Sequence, residues 1–320
     1  MKTFALSLVA ATALTVPAFA AEWDMPTPYG DSTFHTANII QMAEEIRAAT
    51  DGAFDITVHS AGSLFAHPEI KNSVRRGLAP IGELLVSRLA NEDPIFGLDA
   101  IPFVATSYEE AKALYDAQKP ALEEALAEQG LTFLYAVPWP PQGIYAKTAV
   151  EDISALEGVK FRAYNAATER LAQLVGAIPT QVEVPDIPTA FSTGRVDAMI
   201  TSPSTGANQK VWDFLTHYVD TQAWLPKNMV VVNTEALEAL TDAEREALMT
   251  AAAAAETRGW EMSAAETEEK TQALRDNGID VSAPTEALMS AMAEVGTTMA
   301  AEWEAEAGET GAAVLEAYRQ

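Results

Sequence analysis

Two short stretches of this chain follow one pattern, and that repetition constrains the fold more than any other feature. Pro68-Glu69-Ile70 is followed after six residues by Gly77, and Pro185-Asp186-Ile187 is followed after six by Gly194. A strand-like run precedes each (54–58 and 179–184), and a second apolar run follows each (81–86 and 196–200). Proline suits a first helical turn, an acid there complements the helix dipole, and glycine closes a helix in the left-handed region. Both stretches therefore read as strand, short helix, strand. Two short units can coincide by chance; the sharper expectation is two similar α/β lobes.

Other segments fit such a body. Residues 22–28 read as an extended strand. Residues 33–50 carry Ile39, Met42, Ala43 and Ile46 on one helical stripe, closed by Asp51-Gly52. Capping boxes stand at Ser107 with Glu110, Ser154 with Glu157, and Thr241 with Glu244. Residues 241–277 contain no proline before Gly278, which predicts one long helix able to brace both lobes, with Gly259 as its weak point. A further helix is expected over 284–307.

The N-terminus predicts export. Lys2 is followed by an apolar run over 4–16 and by Ala18-Phe19-Ala20, a small-x-small cleavage pattern, so residues 1–20 read as a signal peptide. That run is shorter than the roughly 20 apolar residues that span a bilayer, and no later stretch is long enough, so the protein is not expected to insert in a membrane. The 300 residues beyond exceed the usual size of a single core. Cysteine is absent, which excludes disulfides, thiol catalysis and thiolate metal sites. With 46 acidic against 20 basic residues the net charge is −26, a field that disfavours nucleic acid and anionic lipid as partners. Any anion site must then rest on local positive groups.

Motifs for chemistry are missing. Glycine-rich nucleotide loops, nucleophile elbows and zinc-protease helices do not occur, and His35, His59, His67 and His217 lack metal-ligand spacing. No catalytic residue, metal or cofactor is expected.

Three segments carry a family resemblance: Gly62-Ser63-Leu64 with Glu69, Gly77, Pro94 and Ile101-Pro102-Phe103; Leu156-Glu157-Gly158-Val159-Lys160-Phe161-Arg162-Ala163-Tyr164-Asn165, continuing through Gly176 to Phe191-Ser192-Thr193-Gly194-Arg195-Val196-Asp197-Ala198; and residues 224–233. In this order they resemble the substrate-binding subunit of TRAP (tripartite ATP-independent periplasmic) transporters, the DctP-type family. The resemblance implies an α/β, two-lobed periplasmic-binding-protein-like fold with crossing strands and a long helix bridging the lobes. The division expected is 21–143 with 232–269 for the first lobe, and 144–231 with 270–320 on it and the hinge for the second. Hinges are expected near 142–145, near 227–232 and within the long helix.

The resemblance also assigns roles. Arg162, in the K-x-R segment, would grip a ligand carboxylate, a task that suits the planar, permanently charged guanidinium; the bland alternative is a surface arginine paired with one of many acids. Asn165 would contact ligand, and Ser202 would stand where many members carry an asparagine. Tyr145 falls in Gln142-Gly143-Ile144-Tyr145, where sialic-acid binders place a second arginine, so sialic acid itself is not expected. Trp139 and Trp224 lie near the expected crossings and would form aromatic walls or pack in lobe cores. Glu83, a charge among apolar neighbours, would accept a ligand hydroxyl or pair with Arg88. The function implied is a periplasmic solute-binding protein, not an enzyme, that delivers a small organic acid to the small and large TRAP membrane subunits. The binding protein of another transporter class, or a two-lobed periplasmic enzyme, is the alternative.

Overall fold

The computed structural model describes residues 21–320; the expected signal peptide, 1–20, lies outside the described residues. Along the chain run β1 (Ala21–Pro26), α1 (Phe34–Ala49), β2 (Phe54–His59), α2 (His67–Arg75), β3 (Ile81–Leu85), α3 (Tyr108–Ala127) and β4 (Leu131–Pro138). Then come β5 (Gly143–Ala146), β6 (Lys160–Ala163), α4 (Ala166–Leu174), β7 (Ile178–Gln181), α5 (Ile187–Ser192), β8 (Ala198–Thr201), α6 (Pro203–Asn208) and β9 (His217–Val219). The chain ends with β10 (Lys227–Asn233), α7 (Thr234–Ala239), α8 (Asp242–Asp276), β11 (Asp280–Ser282) and α9 (Glu286–Arg319).

The strands divide into two bodies. β1 pairs in parallel with β2, and β10 lies antiparallel between β3 and β4. A Cβ on Gly82 of β3 would come 3.6 Å from Pro26 of β1, which sets these ladders side by side as one lobe. The second lobe is a six-stranded sheet in the order β11-β9-β5-β8-β6-β7.

Both repeated units form as their sequences require. In the first lobe Pro68 opens α2, Glu69 accepts the backbone N–H of Ala66 at 3.2 Å, and Gly77 turns at φ +67°. The close seating of α2 on β3 depends on Gly82, whose added Cβ would lie 2.9 Å from both Ile70 and Val74. In the second lobe Val184–Asp186 make a 3₁₀ turn that leads into α5, and Gly194 turns at φ +68°.

The lobes join at two strand crossings and along α8. Residues 139–142 link β4 to β5, and residues 220–226 return from β9 to β10. The two segments hold each other: Trp139 N donates to Pro226 O (2.7 Å), Gln142 N to Trp224 O (3.0 Å) and Ala223 N to Gln142 O (2.9 Å). Residues 227–231 sit inside β10 and pair with β3 and β4, so the return crossing precedes them. They pair within the first lobe's sheet, whereas the sequence reading draws the lobe boundary at 231/232.

The long helix forms as one unbroken element, opened by the expected Thr241 and Glu244 box. Its first half binds the first lobe, through Asn38 Nδ2 to Ala255 O (2.8 Å) and Trp260 Nε1 to Ala136 O (3.0 Å). Farther on, Glu266 accepts from Ser204 of α6 at 2.5 Å. Gly259 marks a close approach instead of a bend: a Cβ there would lie 2.4 Å from Val137 and 2.8 Å from Asn38 Nδ2. α9 also reaches both lobes. Trp303 Nε1 donates to Pro94 O (2.6 Å) and Tyr318 to Val104 O (2.9 Å), while Arg170 of α4 grips Glu302 (2.6 and 2.9 Å). No helix among the described residues is long and apolar enough to cross a membrane.

Candidate functional site

Between the lobes, under the crossings, lies a small cavity. Tyr29, His67, Leu85, Trp139 and Pro226 line it from the first lobe and its crossings. Gln142, Arg162, Tyr164, Glu183, Val184, Thr201, Ser202 and Thr205 line it from the other side.

Arg162 is its central charge. It lies in β6 between β7 and β8 and is 1 % exposed. Its Nε donates to Val182 O at 2.9 Å, and its guanidinium carbon stands 5.0 Å from the Tyr164 ring centroid. Tyr164 follows directly on the end of β6, and both side chains line the cavity. Burial brings the Arg162 guanidinium down to about 10 against weaker support from Tyr164 and Glu183. No carboxylate of the described residues lies within ion-pair distance of it; Glu183 acts on it only at longer range, so its charge is buried without a direct partner. A ligand carboxylate would supply the missing partner.

An arginine on the other lobe is already matched. Arg88, in the turn after β3, pairs with Glu183 Oε1 at 2.7 Å and donates to Tyr164 O at 2.9 Å. Glu183 Oε2 stands 3.3 Å from His67 Nδ1. His67 Nε2 accepts the backbone N–H of Leu85 at 3.2 Å, which leaves the ring proton on Nδ1, facing Glu183. Burial lowers the His67 pKa, so the ring is neutral and the lasting positive neighbours of Glu183 are Arg88 and Arg162. Burial alone would raise Glu183; the His67 hydrogen bond first, then Arg88 and Arg162, outweigh it and hold its carboxyl below the usual range.

The aromatic wall is held from behind. Asn228 Oδ1 accepts the Trp139 indole N–H at 2.9 Å and the Tyr29 hydroxyl at 3.2 Å. The amide is oriented by Glu83, whose Oε1 accepts from Asn228 Nδ2 at 3.2 Å and whose Oε2 accepts from Thr27 at 2.5 Å. His35 lies beneath Trp139, ring centroids 4.4 Å apart, with Nδ1 3.5 Å from Glu83. Burial raises the Glu83 carboxyl to about 7 and lowers His35 well below its ordinary value.

Of the seven residues singled out from sequence, Arg162, Trp139 and Ser202 line the cavity. Ser202 also caps α6, its Oγ accepting from Thr205 N at 3.1 Å. The other four are placed behind the cavity wall. Asn165 caps α4, accepting from Thr168 N at 2.8 Å, and reaches across the lobes to Ser87 Oγ at 2.8 Å. Tyr145 is buried against Tyr218 at 4.4 Å and donates to Ser202 O at 3.2 Å, so it supports the lining from beneath. Trp224 is buried in the crossing, its indole N–H without a partner. Glu83 neither faces the cavity nor pairs with Arg88, because Arg88 is engaged by Glu183.

Sequence reading missed Tyr29, His67, Tyr164, Glu183, Thr201 and Thr205 as lining residues. Tyr164 was legible as the i+2 neighbour of Arg162, and His67 and Glu183 as residues at the openings of the repeated units.

This arrangement has close counterparts. DctP6, a Bordetella pertussis extracytoplasmic solute receptor binding pyroglutamic acid, superposes with a TM-score of 0.92 at 42% identity, over 93% of this chain and 99% of its own. DctP7, a receptor from the same organism that also binds pyroglutamic acid, gives 0.93 at 43% identity, over 94% of this chain and 100% of its own. A marine metagenome TRAP solute binding protein specific for pyroglutamate gives 0.92 at 40% identity, over 94% and 99%. Residues 28–306 match the family described as bacterial extracellular solute-binding protein, family 7 (DctP). The two-lobed fold, the inter-lobe cavity and this match over most of the chain agree: the protein belongs to the DctP family of bacterial extracellular solute-binding proteins.

Proposed function

We propose that this chain captures a small organic acid between its lobes, with pyroglutamate as the first candidate, and delivers it unchanged to the integral membrane subunits of a TRAP transporter. The observation that carries this reading is Arg162, a buried cation without a protein carboxylate partner in the wall of an inter-lobe cavity. Three receptors at 40–43% identity that bind pyroglutamate support the choice of candidate. The cavity supports it too: one guanidinium for the carboxylate, Trp139 and Tyr29 for the ring, and Gln142, Thr201 and Thr205 as polar groups for an amide.

The reading places the protein in the periplasm, with residues 1–20 removed on export. Residues 21–138 with 227–269 form the first lobe, which with Trp139 of the crossing offers the aromatic wall, and 143–219 the lobe that offers Arg162; 139–142 and 220–226 join them.

Thermal-shift screening against small organic acids tests the function. A ligand at about 100 times its dissociation constant adds roughly 2.7 kcal/mol of apparent stability. L-Pyroglutamate is expected to raise Tm and to be recovered unaltered by mass spectrometry after incubation. A protein indifferent to every acid in the screen, or one that reproducibly converts its ligand, defeats the proposal.

A further inference from the structure

Glu183 is a carboxylate inside a site that is itself suited to carboxylates. It lines the cavity beside Arg162, and both of its oxygens are held from the opposite lobe, by Arg88 at 2.7 Å and His67 at 3.3 Å. Tyr29, His67, Glu183 and Val184 line a second, adjoining hollow as well, with Pro28, Ala61 and Pro185. These four residues therefore stand between the two hollows.

The charges at the cavity wall can be counted, together with Arg88, which stands behind the wall on Glu183. Arg162 and Arg88 are positive, Glu183 is negative, and His67 is neutral because its Nε2 is occupied by the Leu85 N–H. Arg88 is matched by Glu183, which leaves Arg162 alone. The closed cavity thus carries one unmatched positive charge, and burial makes any departure from neutrality costly. We propose that Glu183 is a specificity-determining residue: by filling the second anionic position itself, it restricts the site to ligands with one negative charge and rejects dicarboxylates.

The inference rests on the organic-acid reading given above. A lactam acid such as pyroglutamate fits the rule twice. Its single charge meets Arg162, and its ring N–H is a donor for which a fixed carboxylate is an acceptor. An open-chain dicarboxylate of similar length brings a second charge toward Glu183, and like charges brought together in a desolvated site repel strongly.

The test measures affinities for L-pyroglutamate and glutarate by titration calorimetry on the wild-type protein, Glu183→Gln and Glu183→Asp. The wild type is expected to prefer pyroglutamate by about 100-fold or more, and Glu183→Gln to reduce that preference by about tenfold or more, because Arg88 is then unmatched. Glu183→Asp loosens both inter-lobe bonds but keeps the charge, so its preference is expected to stay within about threefold of the wild type. An unchanged preference in Glu183→Gln overturns the inference. So does loss of both acids by that variant, which would make Glu183 a clasp only. Tight glutarate binding by the wild type overturns it while the organic-acid function stands. If the wild type binds neither acid but takes another monocarboxylate over its dicarboxylate counterpart, the candidate ligand fails and the charge rule holds. If it binds no acid at all, both fail.

Discussion

His67 and Glu183 meet across the cleft at 3.3 Å, each carried at the opening of its own lobe's repeated unit, His67 directly before Pro68 and Glu183 two residues before Pro185. The contact spans the two lobes, so opening them would break it, and it would couple closure to protonation. Burial depresses the His67 pKa, and the partners of Glu183 depress its own. Groups with depressed values stabilise the closed form above their ordinary pKa and lose that contribution as pH falls through the lowered one. Ligand affinity should therefore weaken on acidification below about pH 6.5, where an exposed histidine begins to charge, and again below about pH 4.3. His67→Gln should flatten the first limb and leave the second. A calorimetric pH series with equal slopes in both proteins would remove His67 from the account.

Glu83 works in the opposite sense. Its carboxyl is raised to about 7 by burial, against hydrogen bonds from Thr27 and Asn228 that favour the charged form. A raised value means stability that is complete below the unfolded pKa and lost as pH rises through the folded one. His35 does not compensate, since burial keeps its ring neutral. Glu83→Gln, a neutral isostere, should gain on the wild type between about pH 4.5 and 7, by on the order of 3 kcal/mol at the upper end. Urea denaturation at the two pH values measures this, and a stability gap that does not change with pH contradicts it.

Arg162→Met keeps volume and apolar stem but removes the charge. Truncating one partner of a buried charge pair costs about 2–5 kcal/mol, so affinity should fall by a factor of roughly 30 or more. The unliganded variant should be no less stable by more than about 1 kcal/mol, because it no longer buries an unmatched cation. Calorimetry paired with denaturation separates the two effects; near-native affinity would dismiss Arg162 as the anchor.

The contrast between Arg162 and Glu83 shows how far the sequence could be read. Periodicity and caps were sufficient for α8 and the repeated units, which depend on local signals such as Thr241 with Glu244 and the glycines at 77 and 194; the box read at Ser154 with Glu157 is instead a single 3₁₀ turn capped by Asp152. Arg162 was reachable through its K-x-R segment. Glu83 looked equally conspicuous among apolar neighbours, yet its partners Thr27 and Asn228 lie 56 and 145 residues away in sequence. Which buried charge faces the cavity and which braces the wall is decided by pairings of that range. The same holds for Asn165, whose capping role was local and whose bond to Ser87 was not.

Gly259 sets two effects against each other. Replacing glycine by alanine within a helix gains about 1 kcal/mol from propensity. Here the added Cβ would stand 2.4 and 2.9 Å from the two methyls of Val137 and 2.8 Å from Asn38 Nδ2, so α8 or β4 must shift. Overpacking of this kind costs about 1–3 kcal/mol, and the neighbours are a strand residue and a hydrogen-bonded amide with little room to yield. Gly259→Ala should lower Tm despite its better helix propensity. A rise in Tm would show that the helix has freedom at this point.

Ligand should close the lobes, because it can touch both sides of the cavity at once. Only interactions that differ between open and closed forms shift their populations. The closed form has several that the open form lacks: Arg88 with Glu183, Arg88 with Tyr164 O, Asn165 with Ser87, and His67 with Glu183. Against them stands the desolvation of Arg162, which stays uncompensated until a carboxylate arrives. The unliganded protein should therefore favour the open form, and ligand should tip the balance by neutralising that one charge. The bending should fall on residues 139–142 and 220–226 and be absorbed along α8. Small-angle scattering with and without saturating ligand should show a smaller radius of gyration in the complex. Arg162→Met should lose the ligand response and rest nearer the closed form, since its closure buries no unmatched charge. A mutant as open as the unliganded wild type would mean that some other cost, and not the desolvation of Arg162, holds the lobes apart.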